Sequence, residues 1–190
     1  MLEHMPKVLG EALKAVRPGL DKLAIHADFA TVPDTIVVSS PAFAAEGAIP
    51  ADYTEDGRKL SPPLAWRGVP AGAAEVVLLI EDADSPTPAP LVHTILLGLP
   101  GRDGTLSEGE LASPGGAGRP HRLGQNSFFK AEYLPPDPPT GHGPHRYAVQ
   151  VFALDTPLVL DDKPGRGAVI EAMTGHVVAK GLLVGTYERR

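Results

Sequence analysis

Residues 146–154 of the chain read RYAVQVFAL, and this stretch is the clearest β-strand in the sequence. Two further apolar segments, EVVLLI at residues 75–80 and VHTILLGL at residues 92–99, also have the length of strands. Because the apolar residues of EVVLLI run without alternation, we expect it to be buried on both faces of a sheet, with VHTILLGL as its neighbour. Residues 35–40 (TIVVSS) add a β-branched strand. The chain is therefore predicted to be mostly β.

Helical periodicity occurs near both ends of the chain. Apolar residues recur at helical spacing over residues 6–17, and a Pro-Gly pair follows them. This short amphipathic helix could pack on its own domain, on a second subunit or on a membrane surface, although its lack of aromatic residues disfavours the membrane. Residues 167–187 are predicted to form a second helix. We therefore expect an N-terminal helix and linker at residues 1–34, followed by a β-rich domain at residues 35–190.

Composition excludes several classes of protein. The 190 residues include no cysteine, which rules out a disulfide framework, a thiolate metal site and a cysteine nucleophile. The net charge of −6, with no basic cluster longer than a pair, argues against a nucleic-acid partner. The longest apolar runs, such as VVLLI, are far shorter than the roughly 20 residues of a membrane-spanning helix. We therefore expect a cytoplasmic protein with no integral membrane segment.

Cofactor chemistry also finds little support in the sequence. Strands and helices do not alternate regularly, and the glycine fingerprint of a dinucleotide site is absent. His142 and His145 have the HxxH spacing of metal ligands. Two ligands without a clear third partner make a weak metal site. We expect neither a bound metal nor an organic cofactor.

Polar residues collect where the predicted strands end. Asp82 and Asp84 follow the strand of residues 75–80 in the segment EDADSP. Their spacing places both carboxylates on one side if the strand continues, although a turn rich in Asp and Pro has the same composition. His93 lies alone inside an apolar strand, where a histidine is commonly a satisfied core residue. A site at the edge of a cleft and a purely structural arrangement both remain open at this point.

A second polar group, His145-Arg146-Tyr147, begins the clearest strand. Alternation places His145 and Tyr147 on one face and Arg146 on the other. The histidine and the tyrosine could donate hydrogen bonds to an anion, whereas Arg146 could pair with a carboxylate such as Asp84. Residues 135–144 (PPDPPTGHGP) form a stiff loop that could serve as a pocket wall. Polar strand ends that simply meet solvent are the alternative.

Taken in order, these segments resemble the phosphatidylethanolamine-binding proteins, a family that includes the Raf kinase inhibitor proteins. The resemblance rests on DADSP at residues 82–86, on His93, and on PPTG at residues 138–141 leading into His-Arg-Tyr. The segment SPPLAW at residues 61–66 resembles an upstream element of the family, and the end of the chain looks like the bacterial and archaeal branch. The resemblance covers residues 35–187.

The resemblance implies a large antiparallel sheet packed against a smaller one, with the C-terminal helix near a pocket for phosphate-type anions or phospholipid headgroups. Carried over by position, the ligand-binding residues would be Asp82, Pro86, His93, Tyr133, Pro138, His145 and Tyr147. Asp84 and Arg146 would support the site as an ion pair. Because bacterial members often look dimeric, the resemblance also implies a homodimer.

The chain departs from the family pattern beside the expected pocket. Ala83 and Ser85 replace a proline and an alanine of the family's DPDAP turn. Val92 and Thr94 replace the aromatic residues that flank the histidine in the family. The loss of that aromatic wall predicts a more open or less selective pocket.

Three functions follow from this interpretation. The first, which we favour, is binding of a small phosphate-type anion or a phospholipid headgroup, with a regulatory role and no catalytic residues. The second is a metal- or acid/base-assisted hydrolase built on Asp82 and two histidines, although neither G-x-S-x-G nor H-E-x-x-H occurs in the chain. The third is a protein-interaction regulator of a kinase or a protease.

Overall fold

A computed structural model describes residues 7–111 and 121–189 and contains two antiparallel sheets. The strands are β1 (Val37–Ser39), β2 (Leu64–Arg67), β3 (Glu75–Asp82), β4 (Leu91–Pro100), β5 (Gly104–Leu106), β6 (Arg122–Leu123), β7 (His145–Leu154) and β8 (Val177–Tyr187). The large sheet has the order β6-β4-β3-β7-β8, and the small sheet has the order β1-β2-β5. The helices are α1 (Lys7–Ala12), α2 (Ala24–Ala27) and α3 (Arg166–Met173). The predicted fold, mostly β with a small sheet on a large one, is confirmed.

The central strand of the large sheet is buried on both faces. Every residue of β3 is buried, as its continuous apolar run predicted. Alternate residues such as Leu78 pack between the two sheets around Trp66 of the small sheet. The residues between them, such as Leu79, pack against Phe29 and the α3 residue Met173 on the opposite face. The large sheet therefore forms the middle layer of the protein.

The predicted helix over residues 167–187 is wrong for its second half. Helix α3 ends at Met173, and Gly175 turns the chain with a φ of 85°, a conformation that glycine adopts without strain. The chain then continues as β8, which pairs with β7 from end to end. The apolar residues that resembled a helical stripe instead lie on a strand of which six of the eleven residues are buried, and long-range pairing overrides local periodicity there.

The N-terminal segment lies against the body of the protein. Helix α1 is shorter than the predicted helix over residues 6–17, and Pro6 lies outside the described residues. Gly10 packs so closely on the loop before β7 that a Cβ atom would lie 2.2 Å from the carbonyl oxygen of Thr140. Further along, Leu23 and Ile25 are buried in the core. The division of the chain at residue 34 stays a prediction.

Among the described residues, the structure contains no helix that is both long and apolar enough to cross a membrane.

Candidate ligand-binding site

A pocket of about 190 Å³ opens where β3 ends and β4 begins. Its wall combines residues of these strands with the loop between β6 and β7, and it contains Glu55, Asp82, Leu91, His93, Phe128, Lys130, Glu132, Leu134, Pro135 and Asp137. Two predicted ligand-binding residues, Asp82 and His93, therefore lie on one pocket. A volume of this size accommodates a small polar group and is below that of a typical drug-sized site.

A β-bulge determines how His93 is placed. Ile80 pairs with Thr94 and Glu81 with Val92, so that His93 is the extra residue between two paired positions. A bulge of this kind interrupts the alternation of side chains and commonly re-aims one of them beside a functional site. Neither hydropathy nor propensity signals such a bulge, and sequence alternation alone could not place this side chain.

The ring of His93 is buried and presents a hydrogen-bond acceptor. Its Nδ1 atom lies 2.6 Å from the carbonyl oxygen of Leu134, and because a carbonyl only accepts, this nitrogen donates its proton. Burial lowers the pKa of His93, and the nearby charge of Asp82 opposes that effect without reversing it. The ring is therefore neutral, and its Nε2 atom carries a lone pair. That atom is buried and has no hydrogen-bond partner among the described residues.

Tyr147 contributes a second buried polar atom of the same kind. Its hydroxyl has no hydrogen-bond partner within the described part of the chain, and burial raises its pKa well above the usual value. The ring meets His93 edge-on with 5.2 Å between centroids. Both side chains and Tyr133 line a small cavity of about 10 Å³, which shares His93 with the pocket and is close to the space of one water molecule. The hydroxyl of Tyr133 donates to the carbonyl of Tyr53 at 3.1 Å.

Asp82 begins a hydrogen-bonded chain that leads away from the pocket. Its carboxylate accepts from Nδ1 of His145 at 2.7 Å, and Nε2 of His145 lies 2.7 Å from Nδ1 of His142. The chain ends where Nε2 of His142 donates to the carbonyl oxygen of Leu13 at 2.9 Å. A carbonyl only accepts, so Nε2 of His142 carries a proton, and a further proton lies between the two rings.

Burial, and then the charge of His145, lowers the pKa of His142 in this pair of rings. The ring nitrogens of the HxxH pair are used in this chain, and no group of three or more metal-binding side chains is found among the described residues.

The Asp84 carboxylate holds two arginines. Arg146 donates to it through Nε at 2.7 Å and Nη2 at 2.8 Å, while Arg17 of the N-terminal segment lies 3.1 Å from it. Burial raises the pKa of Asp84, but the hydrogen bonds from Arg146 and Arg17 outweigh that effect and hold it below its usual value. Asp84 and Arg146 form a pair in the structure, and their support of a ligand site stays a prediction.

The structure separates the other predicted ligand-binding residues. Pro86 lines a neighbouring groove, and Pro138 offers its carbonyl oxygen to Arg189 at 3.0 Å. His145 is fully buried behind Asp82 and lines none of the described pockets. Contact of these residues with a ligand stays a prediction.

Sequence reasoning missed most of the charged residues on the pocket wall. Three carboxylates join Asp82 there, those of Glu55, Glu132 and Asp137. Each lies against a cation, which is Lys59, Lys130 and Arg189 respectively. Of these three cations, Lys130 lines the pocket. The segments KAE at 130–132 and PPDPP at 135–139 carry the signal, but only the folded loop shows that their carboxylates share a pocket.

Comparisons with known proteins agree with this fold. A family model described as phosphatidylethanolamine-binding protein matches residues 39–188. A UPF0098 protein of Methanothermobacter thermautotrophicus is 37% identical over 148 residues, covering 78% of this chain and 95% of that protein. A crystal structure of a phosphatidylethanolamine-binding protein homologue from Chlamydia trachomatis has a TM-score of 0.74 and 32% identity, covering 83% of this chain and 99% of its own. A Mycobacterium tuberculosis protein named as a lipoprotein, LppC, is 33% identical over 157 residues, covering 82% of this chain and 73% of that protein.

Proposed function

Because this chain belongs to the phosphatidylethanolamine-binding protein family, we propose that it binds a small phosphate-containing ligand in the pocket beside His93. The ligand is a phosphate-type anion or a phospholipid headgroup, and the role is one of binding or regulation. Membership of the family supports a binding role of this type. The pocket is the reason for placing the ligand beside His93.

The observation that carries the proposal is a pair of unsatisfied polar atoms. Nε2 of His93 and the hydroxyl of Tyr147 are both buried without a partner among the described residues. Buried polar groups are nearly always hydrogen-bonded, and an exception commonly marks a functional site. His93 lies on the 190 Å³ pocket, and because its Nε2 is a lone-pair acceptor, it would bind a ligand through a donor such as the O–H of a hydrogen phosphate or the N–H of an amino headgroup.

Lys130 provides a place for a phosphate group at the mouth of the pocket. Its side chain is 64% exposed, and its ammonium lies 3.6 Å from Glu132, beyond hydrogen-bonding distance. Three N–H donors on a flexible stem suit a phosphate oxygen at the edge of a pocket.

An apolar groove continues from the pocket and favours a headgroup over a bare anion. The groove has a volume of about 490 Å³ and shares Leu91 and Phe128 with the pocket. The proline-rich turn after β3, including Pro86 and Pro90, forms much of its wall. A ligand with a polar head in the pocket could place an apolar remainder along this groove.

The other expectations remain predictions. They are a homodimer, a cytoplasmic location and the absence of a nucleic-acid partner. The hydrolase and the regulator of a kinase or protease remain alternative functions, and a stoichiometric metal in the purified protein would favour the hydrolase.

Calorimetric titration with phosphorylethanolamine and with inorganic phosphate tests the proposal. We expect the wild type to bind phosphorylethanolamine, and Lys130→Gln to weaken that binding by about tenfold, as for a hydrogen bond to a charged group. Lys163→Gln removes the ammonium of another exposed lysine and should change nothing. Absence of any phosphate-ligand binding by the wild type would reject the proposed function.

A further inference from the structure

The N-terminal segment lies outside the part of the chain that matches the family. The family model covers residues 39–188, whereas the segment that packs on the loop before β7 is residues 7–17. Its helix, α1, has six residues, and isolated helices shorter than about 12 residues are only marginally stable. The position of this segment is therefore fixed by the contacts that it makes with the rest of the protein.

Three anchors hold the segment in place. Gly10 packs so closely on the loop before β7 that no larger residue fits there. The backbone carbonyl of Leu13 accepts a hydrogen bond from Nε2 of His142 at 2.9 Å. Arg17 donates to the carbonyl oxygen of His142 at 2.6 Å and to that of Pro144 at 2.8 Å. The backbone before Leu13 and the end of the segment are thus both fixed on one loop.

These anchors place the side chain of Leu13 on the apolar groove beside the pocket. Leu13 is half-buried and lines the groove of about 490 Å³. The other residues that line this groove belong to the segments 86–91 and 127–128. Because the groove shares Leu91 and Phe128 with the pocket, the two form one continuous surface. The N-terminal segment therefore supplies one wall of a surface that begins at the proposed ligand site.

The remaining walls of the groove suit a hydrocarbon chain better than a peptide. Residues 86–91 include three prolines, which have no backbone N–H to donate. The carbonyl oxygen of Pro88 already accepts from Lys22 at 2.9 Å, and that of Ala89 accepts from Thr87 at 2.7 Å. A peptide would find few partners here for its backbone polar groups, and burying such groups unpaired is costly. A hydrocarbon chain has no such groups.

From these observations we infer that the N-terminal segment is part of the ligand site, and that Leu13 selects phospholipids by contact with their acyl chain. The inference rests on the proposed function and extends it, since the head lies in the pocket and the chain lies along the groove. Arg17 is a positioning residue, because it holds the segment without lining the groove or the pocket. Docking of the segment and binding of such a ligand stabilise each other, because the chain contacts Leu13 only when the segment is docked.

Calorimetry with a matched pair of ligands tests the contact with the chain. The ligands are glycerophosphoethanolamine and its 1-hexanoyl derivative below its micelle concentration, which share one head and differ only in the acyl chain. We expect the wild type to bind the hexanoyl ligand about tenfold more tightly, as for the burial of roughly two methylene groups. Leu13→Ala keeps the carbonyl that bonds His142 and removes the apolar wall. This variant should lower the preference to below about threefold without changing the affinity for glycerophosphoethanolamine.

Two further variants separate the wall from the anchor. Val16→Ala is the control, since it shortens a 42% exposed apolar side chain of the same segment that does not line the groove, and it should keep the full preference. Arg17→Gln removes the anchor and should lose the preference as Leu13→Ala does. Amide hydrogen exchange supplies a second measurement. The hexanoyl ligand should slow exchange over residues 7–17 of the wild type severalfold, whereas glycerophosphoethanolamine should not.

The outcomes distinguish the inference from the proposed function. Equal affinity of the wild type for the two ligands would overturn the inference and leave binding of the head intact. A preference that Leu13→Ala retains would also overturn it, since the chain would then lie elsewhere. If neither ligand binds but phosphorylethanolamine does, the inference fails and the proposed function stands. If neither these ligands nor phosphorylethanolamine and inorganic phosphate bind, both fail.

Discussion

His142 and His145 are joined ring to ring, with 2.7 Å between Nδ1 of the first and Nε2 of the second. This bond connects the pocket carboxylate of Asp82 to the backbone of Leu13 in the N-terminal segment. Because every group in the chain of hydrogen bonds is satisfied by the next, loss of one member leaves its neighbours unpaired in a buried place. The N-terminal segment is thereby linked to the base of the pocket.

Substitution of His142 should release the N-terminal segment. Glutamine at this position cannot bond Leu13 and His145 at the same time, so we expect His142→Gln to lower the free energy of unfolding by about 1–3 kcal/mol. Amide hydrogen exchange should become faster over residues 7–17. The control is His176→Gln, which breaks an exposed pair with Asp155 and should cost less than about 1 kcal/mol. Unchanged exchange over residues 7–17 would contradict the link.

Stability should fall as the solution becomes acidic below pH 6.5. The pKa values of His93 and His142 both lie below the ordinary 6.5, chiefly because the rings are buried. As the pH falls, the unfolded chain therefore binds protons at these positions before the folded chain does. The free energy of unfolding then decreases, by up to about 1.4 kcal/mol per pH unit for each ring, until the folded rings titrate.

Chemical denaturation at pH 8, 7, 6 and 5 measures this slope. Asp84 does not contribute to it, since the pKa of this carboxyl is held below 3.8 and it stays ionised throughout. Replacement of one titrating ring by His93→Gln should make the dependence on pH shallower. Equal stability of the wild type at pH 8 and pH 5 would show that neither ring is held neutral.

Much of the fold could be predicted from local patterns. The apolar run of β3 indicated burial on both faces, because a strand buried on both faces is apolar along its whole length. The end of the chain was mistaken for a helix because residues such as Val177 and Leu183 satisfy helical and strand spacing alike. Only the pairing of β8 with β7 decides between them, and pairing is a long-range property.

The site was less predictable for a similar reason. The order of the motifs in the sequence predicted Asp82 and His93 as ligand-binding residues, and the structure places both on one pocket. Arg17 reaches Asp84 from far away along the chain, and nothing local to either residue indicates that contact. The position of His145 behind Asp82 likewise depends on the ring of His142. That ring is bonded to Nε2 of His145, the nitrogen that a ligand would need.

Substitution of Lys180 should loosen the segment that covers the large sheet. Its buried ammonium donates to the carbonyl oxygens of Ile25, Phe29 and Ala30 at 2.9–3.2 Å. Lys180→Met preserves the length of the side chain and removes all of these donors, so we expect a loss of about 3 kcal/mol of unfolding free energy. Lys163→Met, at an exposed position, is the matched control and should be neutral. Equal denaturation midpoints for the two variants would contradict this role.

The exposed apolar side of helix α1 should carry the predicted homodimer contact. Val8 and Leu9 on this helix are 76% and 47% exposed, and exposed apolar groups favour association with a second surface. We therefore expect Val8→Asp to convert a dimer to a monomer, because a carboxylate is costly to desolvate within a contact. Sedimentation velocity measures the change. Val159→Asp replaces a 96% exposed valine elsewhere on the surface and should leave the dimer intact. A wild type that sediments as a monomer, or a Val8→Asp variant that remains dimeric, would remove α1 from the contact. The helix would then pack only on its own chain, through Gly10.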